Sequence, residues 1–174
     1  MTYADDHPVR LVGGRLALDL VNTADWSASG QVVHEKIAGA RDLDVWLHAM
    51  GMQDLPPPAT ITAFQTFRRD LRAFLRSNGN EESASVKAAL QAVEPDGLVN
   101  TQPLLALAAM SAISILADPR EQGRVKTCPG DNCGWMFVDE TKNSRRTWCL
   151  METCGNRAKA ARHYQKVREE RMNS

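Results

Sequence analysis

What this 174-residue chain lacks narrows its class before any motif is read. It has no surplus of charge: 21 Lys and Arg balance 21 Asp and Glu, so total charge alone argues for no anionic or cationic partner. It has no apolar run of membrane length. Residues 97–117 carry no charge, but LVNTQP opens that stretch and the apolar part, Leu104–Ala117, is shorter than the roughly 20 residues a spanning helix needs. The opening MTYADDHPVR has neither the basic nor the apolar region of a secretory signal. These absences exclude a membrane role and suggest a cytoplasmic protein. Internal repeats and low-complexity segments are also lacking. Four scattered histidines (His7, His34, His48, His163) and no paired nucleophile and base, phosphate loop or spaced carboxylates argue against an enzyme.

What is present is sharply localised. The only four cysteines form two C-x4-C pairs, Cys128 with Cys133 and Cys149 with Cys154, separated by fifteen residues. Zinc takes four thiolate or imidazole ligands in a tetrahedron, and close pairs joined by a hairpin-length segment suit it. Pro129 and Gly130 allow the first knuckle to turn tightly. Cys154 is expected at a helix start, where free amides favour a thiolate. With all four positions filled by protein, such a zinc is structural. Trp135, Phe137 and Trp148 would form a small apolar jacket around it. Redox disulfides or four unrelated thiols are the competing readings.

Charge is unevenly spread. Residues 120–174 hold 12 Lys and Arg against 7 Asp and Glu, while the remaining chain holds 9 against 14. From Lys142 to Arg168, eight basic residues face one acid, Glu152. On a helix beginning near Cys154 and ending near Arg171, Lys159, Arg162 and Lys166 share a stripe, with His163 at its edge. The opposite side, with Ala160, Ala161, Tyr164 and Val167, is expected to pack. Lys142, Arg145 and Arg146 lie in the loop before it. That density suits phosphate contacts, although a four-thiolate zinc carries net negative charge that nearby arginines would also balance. Arg157, on the apolar side, reads as support for the metal site rather than a phosphate contact.

The front half reads as helices. Leu16, Leu20 and Val21 share a face. ARDLDVWLHAM places Leu43, Trp46 and Leu47 inward with Gly51 at the C-cap, and LPPP then breaks the chain. TITAFQTFRRDLRAFLRSNG carries a stripe of Ile61, Phe64, Phe67 or Arg68, Leu71, Phe74 and Leu75, ended by Gly79. ESASVKAALQAV is weaker. Thr101 is placed to cap, and Pro103 to open, a nearly all-apolar helix expected at the centre of a bundle. The pattern changes at DPREQGR, where a boundary near Arg120–Gly123 separates an all-α front (1–120) from a small module (121–174). In the module RVKTC and WMFVD flank PGDNCG as a hairpin.

The run from Phe137 to Lys159, F-x-D-x-T-K-N-x-R-R-x-W-C-x-M-x-x-C-G-N-R-x-K, with C-x4-C-G-W upstream, resembles the CGNR zinc finger family. GGRLALDLVNT at 13–23, RDLDVWL at 41–47 and FRRDLRAFL at 67–75 resemble the ABATE domain that accompanies this finger. The resemblance implies a bacterial stress-induced transcription regulator whose finger binds DNA and whose helical domain senses a small-molecule effector. It makes Cys128, Cys133, Cys149 and Cys154 the zinc ligands, with Asn156 and Arg157 completing the name motif.

The expected architecture is therefore mainly α: a helical bundle plus a treble-clef-like zinc module of hairpin and long helix. Lys159, Arg162 and Lys166 would contact phosphates, assisted by Lys142, Arg145 and Arg146. DNA ranks above RNA because the stripe carries no aromatic stacking platform. The alternative is an interaction module whose basic helix docks on an acidic partner, including the acidic front of a second copy in a homodimer. In the front, Arg15 precedes Asp19, Asn22 and Thr23, which share a helical face. These four either line an effector pocket or serve structure, with Asp19 paired to Arg68, Arg69 or Arg72.

Overall fold

The strongest apolar stripe in the sequence organises the molecule. In the computed structural model, which describes residues 1–91 and 102–172, helix α3 spans Ile61–Arg76. Thr60 caps it, its hydroxyl accepting from the Ala63 amide at 3.0 Å. Phe64, Phe67, Leu71 and Leu75 are buried on one side, and so are Arg68 and Arg72. Helix α1 (Leu16–Val21) lies against it and is buried from Ala17 to Val21. A helix of two turns with no wet face depends on tertiary packing rather than propensity. Helix α2 (Ala40–Met50) ends at Gly51, which takes φ 69° as the C-cap requires. Helix α4 (Ala84–Gln91) packs between α3 and α5 (Pro103–Ala117).

Helix α5 opens with Pro103 in its first turn, as its sequence indicates, while the Thr101 cap lies outside the described residues. It was expected at the bundle's centre. Its Leu104, Leu105, Ala108, Ala109, Ala112 and Ile115 are indeed buried, but Met110 and Ile113 on the other side stand 44% and 41% exposed. The more enclosed helix is the short α1. The front is also not purely helical. Strands β1 (Ala24–Trp26) and β2 (Val32–Glu35) form an antiparallel hairpin between α1 and α2, too short for a period-2 signal to register.

After the one-turn α6 (Pro119–Gln122), β3 (Val125–Thr127) and β4 (Met136–Val138) pair antiparallel in the register Val125↔Val138, Lys126↔Phe137 and Thr127↔Met136. The first cysteine knuckle is the tip of this hairpin. A π-helical turn at Met151–Gly155 then leads into α7 (Asn156–Met172). The whole is mainly α, and knuckle, hairpin and helix follow the treble-clef order.

The hydrophobic core is continuous. One cluster runs from Tyr3 through α1, α3 and α5 to Trp135, Phe137 and all four cysteines. Polar bonds stitch the same seam. The Val138 amide donates to the Gly13 carbonyl (3.0 Å), the Trp26 amide to the Cys133 carbonyl (3.0 Å) and the Trp135 indole to the Ala24 carbonyl (3.1 Å). The change of pattern near Arg120–Gly123 is thus a change of local structure across a shared core.

Candidate metal centre and basic surface

Each cysteine reaches the same point by a different local device. Cys128 directly follows β3, its amide donating to the Trp135 carbonyl at 2.7 Å, and Cys133 turns back by donating to the Gly130 carbonyl at 3.1 Å. Gly130 is pressed close enough that a Cβ there would sit 3.0 Å from the Cys154 sulfur. Gly134 takes φ +56° with Trp26 so near that a Cβ would lie 2.7 Å from the Trp26 Cβ. Cys154 emerges from the π turn, where both its amide and that of Gly155 donate to the Leu150 carbonyl (3.0 and 3.2 Å). Single π turns of this kind cluster at functional sites.

The four sulfurs are buried, free of disulfides and within 4.8 Å of one another. Cys133 and Cys149 approach to 3.5 Å and Cys149 and Cys154 to 3.7 Å. Sulfurs at the corners of a zinc tetrahedron, about 2.3 Å from the metal, stand about 3.8 Å apart, so the geometry fits zinc, and no pair stands at the roughly 2.05 Å of a disulfide bond. The protonation chemistry agrees. The Cys133 hydrogen bond pulls the Cys128 thiol far down, and the same contact pushes Cys133 up; contact with Cys128 and Cys133 drives Cys149 up, and burial raises Cys154. Four sulfurs this close cannot all ionise by themselves, and a divalent cation removes that conflict. They form a single zinc site.

The loop between the cysteine pairs has its own anchor, which spacing alone did not reveal. Asp139 is fully buried and accepts from Lys126 Nζ (2.6 Å), the Thr141 amide (3.0 Å) and hydroxyl (2.5 Å), and the Arg146 amide (2.8 Å). Hydrogen bonds from Lys126 and Thr141 outweigh burial and hold its carboxyl well below the usual range. Lys126 also donates to the carbonyls of Ser144 and Arg146. The F-x-D-x-T part of the motif is therefore a loop staple.

The basic residues divide into two kinds. Arg146 turns inward: it stacks on Phe137 at 4.1 Å and donates to the carbonyls of Val12 (3.2 Å), Trp148 (3.2 Å) and Cys149 (2.6 Å). Its guanidinium ties the metal loop to the front half. Lys142, Arg145, Lys159, Arg162 and Lys166 are exposed, and Lys166 makes a long i,i+4 contact with Glu170 at 3.8 Å. The packed side expected of α7 is not found: no residue of the helix is buried, and Tyr164 is 72% exposed. With so many charged residues and so few large apolar ones, the helix has nothing to bury. Arg157 lines a hollow of about 210 Å³ above the sulfurs, together with Lys36, Cys133, Cys149 and Cys154. The Asn156 amide donates to the Glu152 carbonyl at 3.1 Å, across the join of π turn and helix.

In the front, each candidate is engaged inside the protein. Asp19 Oδ1 accepts from the Gly13 amide at 2.8 Å and folds the Gly13–Gly14 turn over α1; burial raises its pKa to about 6. Asn22 bonds twice to the Met136 backbone. The Thr23 hydroxyl donates to the Leu20 carbonyl (2.7 Å) and accepts from Arg68 (3.1 Å). Arg15 pairs with Glu121 (2.5 Å) and Glu140 (3.0 Å) across the junction. Arg68 pairs with Glu35 through both nitrogens (2.7 and 2.5 Å), not with Asp19. Asn22 and Arg15 thus join the front to the zinc module, while Asp19, Thr23 and Arg68 are engaged within the front itself.

Two family models match successive parts of the chain. The CGNR zinc finger covers residues 124–167, enclosing the four cysteines, the Asp139 staple and most of α7. The ABATE model, described as "Putative stress-induced transcription regulator", covers residues 14–119. No curated protein matches the chain. With more than half its length matched by the one model and its metal centre by the other, the chain belongs to the ABATE family and carries a CGNR zinc finger at its C-terminal end.

Proposed function

We propose that this protein is a DNA-binding transcription regulator in which the zinc module presents α7 to the phosphate backbone. The observation that carries the reading is the state of α7. It has no buried residue, and Lys159, Arg162 and Lys166 are all exposed along it. The π turn holding Cys154 fixes its base. Lys142 and Arg145 add charge from the stapled loop, while Arg146 serves structure. Zinc supplies rigidity and no chemistry, and no catalytic step is assigned to the chain. No helix among the described residues is long and apolar enough to cross a membrane, and on this reading the protein works in the cytoplasm.

The test is a titration of zinc-loaded protein with a labelled random duplex at several salt concentrations. Replacing Lys159 and Arg162 with alanine removes two phosphate contacts, so the slope of log affinity against log salt becomes shallower by about 2. An unchanged slope overturns the phosphate assignment. The exposed Tyr164 favours one second reading, in which the same helix docks on an acidic protein surface. Binding to such a partner that is unaffected by duplex DNA would support it.

A further inference from the structure

Among the described residues, Arg72 is the buried cation with the fewest partners. Its neighbour Arg68, equally buried, has both terminal nitrogens engaged, by a two-pronged pair with Glu35 and by Thr23, and only its Nε lacks a partner. Arg72 is 2% exposed, yet its Nε, Nη1 and Nη2 have no hydrogen-bond partner among the described residues. Its guanidinium lies over the Trp26 indole at 4.7 Å. Removing a cation from water without a partner is costly, and a cation–π contact offsets only part of that cost.

The surroundings of Arg72 are cationic. Arg69, Arg72 and Arg76 recur at i, i+3 and i+7 on α3 and so share a face. All three line a cavity of about 600 Å³ whose wall also offers Ser29, Ser77 and Asn80, with Glu81 as its one acid. Arg72 and Arg76 also line an adjoining hollow of about 420 Å³ bounded by the first zinc knuckle from Thr127 to Gly134, where Asp131 is the acid. Arg72 stands in the wall between the two. A Cβ on Gly134, the residue after Cys133, would meet Arg72 Nη2 at 3.2 Å. Burial and the charge of Arg76 lower the Arg72 pKa to about 10, which leaves it ionised at neutral pH.

We infer that the cavity on α3 binds a small oxyanion, a phosphorylated or carboxylate metabolite held by Arg72 and Arg76, which serves as the regulator's effector. The inference rests on the proposed regulatory function only for the word effector; the anion site stands on its own geometry. Paired guanidinium forks match phosphate and carboxylate oxygens, and Ser29, Ser77 and Asn80, whose side chains bond to Ser27, the Phe74 carbonyl and the Ser77 carbonyl, make the rest of the wall polar. An anion there neutralises Arg72 against the backbone of the metal knuckle, which connects the cavity to the zinc module.

The experiment measures binding of inorganic phosphate and of succinate to the zinc-loaded full chain by calorimetry, with thermal melting as a second readout. One or both anions should bind and raise Tm, and the better one distinguishes a phosphate from a carboxylate effector. Arg76→Gln, at an exposed position that leaves folding intact, should weaken binding at least tenfold, as should Arg72→Lys, with zinc content unchanged in both. Failure of both anions to bind overturns the inference. So does an Arg72→Lys protein that loses zinc while Arg76→Gln binds anions normally, since Arg72 would then only balance the thiolate charge. Duplex DNA binding that depends on Arg72 and Arg76 without any binding of free anion would make the groove a backbone contact instead, and also overturns it. Because Lys159 and Arg162 are intact in these variants, loss of the anion site is distinguishable from loss of duplex binding by α7.

Discussion

Asn22 and Met136 bond to each other twice: Asn22 Nδ2 donates to the Met136 carbonyl at 2.8 Å, and the Met136 amide donates to Asn22 Oδ1 at 2.8 Å. One side-chain amide thus plays the part of a neighbouring strand for β4. Both residues are buried, so removing the amide leaves a buried donor and a buried acceptor unpaired. Asn22→Ala should lower unfolding free energy by about 2–4 kcal/mol, read from urea denaturation in excess zinc. Retention of wild-type stability would show that this pair of bonds does not hold the two halves together.

Gly134 makes a second stringent test. It sits at φ +56°, and a Cβ would come within 2.7 Å of the Trp26 Cβ and 2.9 Å of its carbonyl oxygen. Neither atom is the end of a flexible side chain. Gly134→Ala should cost about 1–3 kcal/mol from backbone strain alone, with the clash added. Because Cys133 precedes it, zinc should also be lost to a competing chelator at lower chelator concentration.

Asp19 sets a pH dependence. Its pKa is raised from 3.8 to about 6, chiefly by burial, with the Gly13, Val12 and Gly14 amides opposing. A raised acid favours the folded state when protonated. Its contribution is full below about pH 4 and is lost as pH rises through 6, a change of at most about 3 kcal/mol. Asp19→Asn keeps an acceptor for the Gly13 amide and removes this titration. The stability of the variant relative to the native protein should therefore rise between pH 5 and 7; a flat difference would contradict the assignment. Zinc loss at low pH affects both proteins and cancels in the comparison.

Metal removal should be felt beyond the finger. The four cysteines belong to the same apolar cluster as Leu18, Phe64 and Leu104. Chelation is expected to lower the melting temperature of the whole chain in a single transition, with Cys128→Ser behaving like the chelated protein. Two separate transitions would indicate halves that fold independently.

The legible parts of the sequence were those written in local spacing. The stripe of α3, the Gly51 cap and the two C-x4-C pairs each follow from residues within a few positions, and each takes the form that spacing dictates. What spacing could not supply was pairing over distance. For Asp19, Asn22 and Thr23 spacing could not choose between a ligand pocket and a structural role, because their partners, Gly13, Met136 and Arg68, lie outside α1. Arg146 is inseparable from Arg145 in sequence, yet Phe137 and four carbonyls claim it. Arg72 read as one candidate partner for Asp19. Only its burial among α3, Trp26 and the knuckle marks it as something else. The hairpin at Ala24–Glu35 escaped notice because three- and four-residue strands carry too few alternations to register.

Helix α7 leaves the body with no residue buried, its base set in the turn that holds Cys154. Seventeen residues at 1.5 Å each make a rod of about 25 Å. Mechanically it is a cantilever, clamped at the metal and free at the tip. A tilt of about 10° at the clamp would sweep its far end through about 4 Å, close to three residues of helix rise. A disturbance of a few tenths of an ångström in the knuckle wall beside Arg72 would therefore arrive at the far end of α7 multiplied.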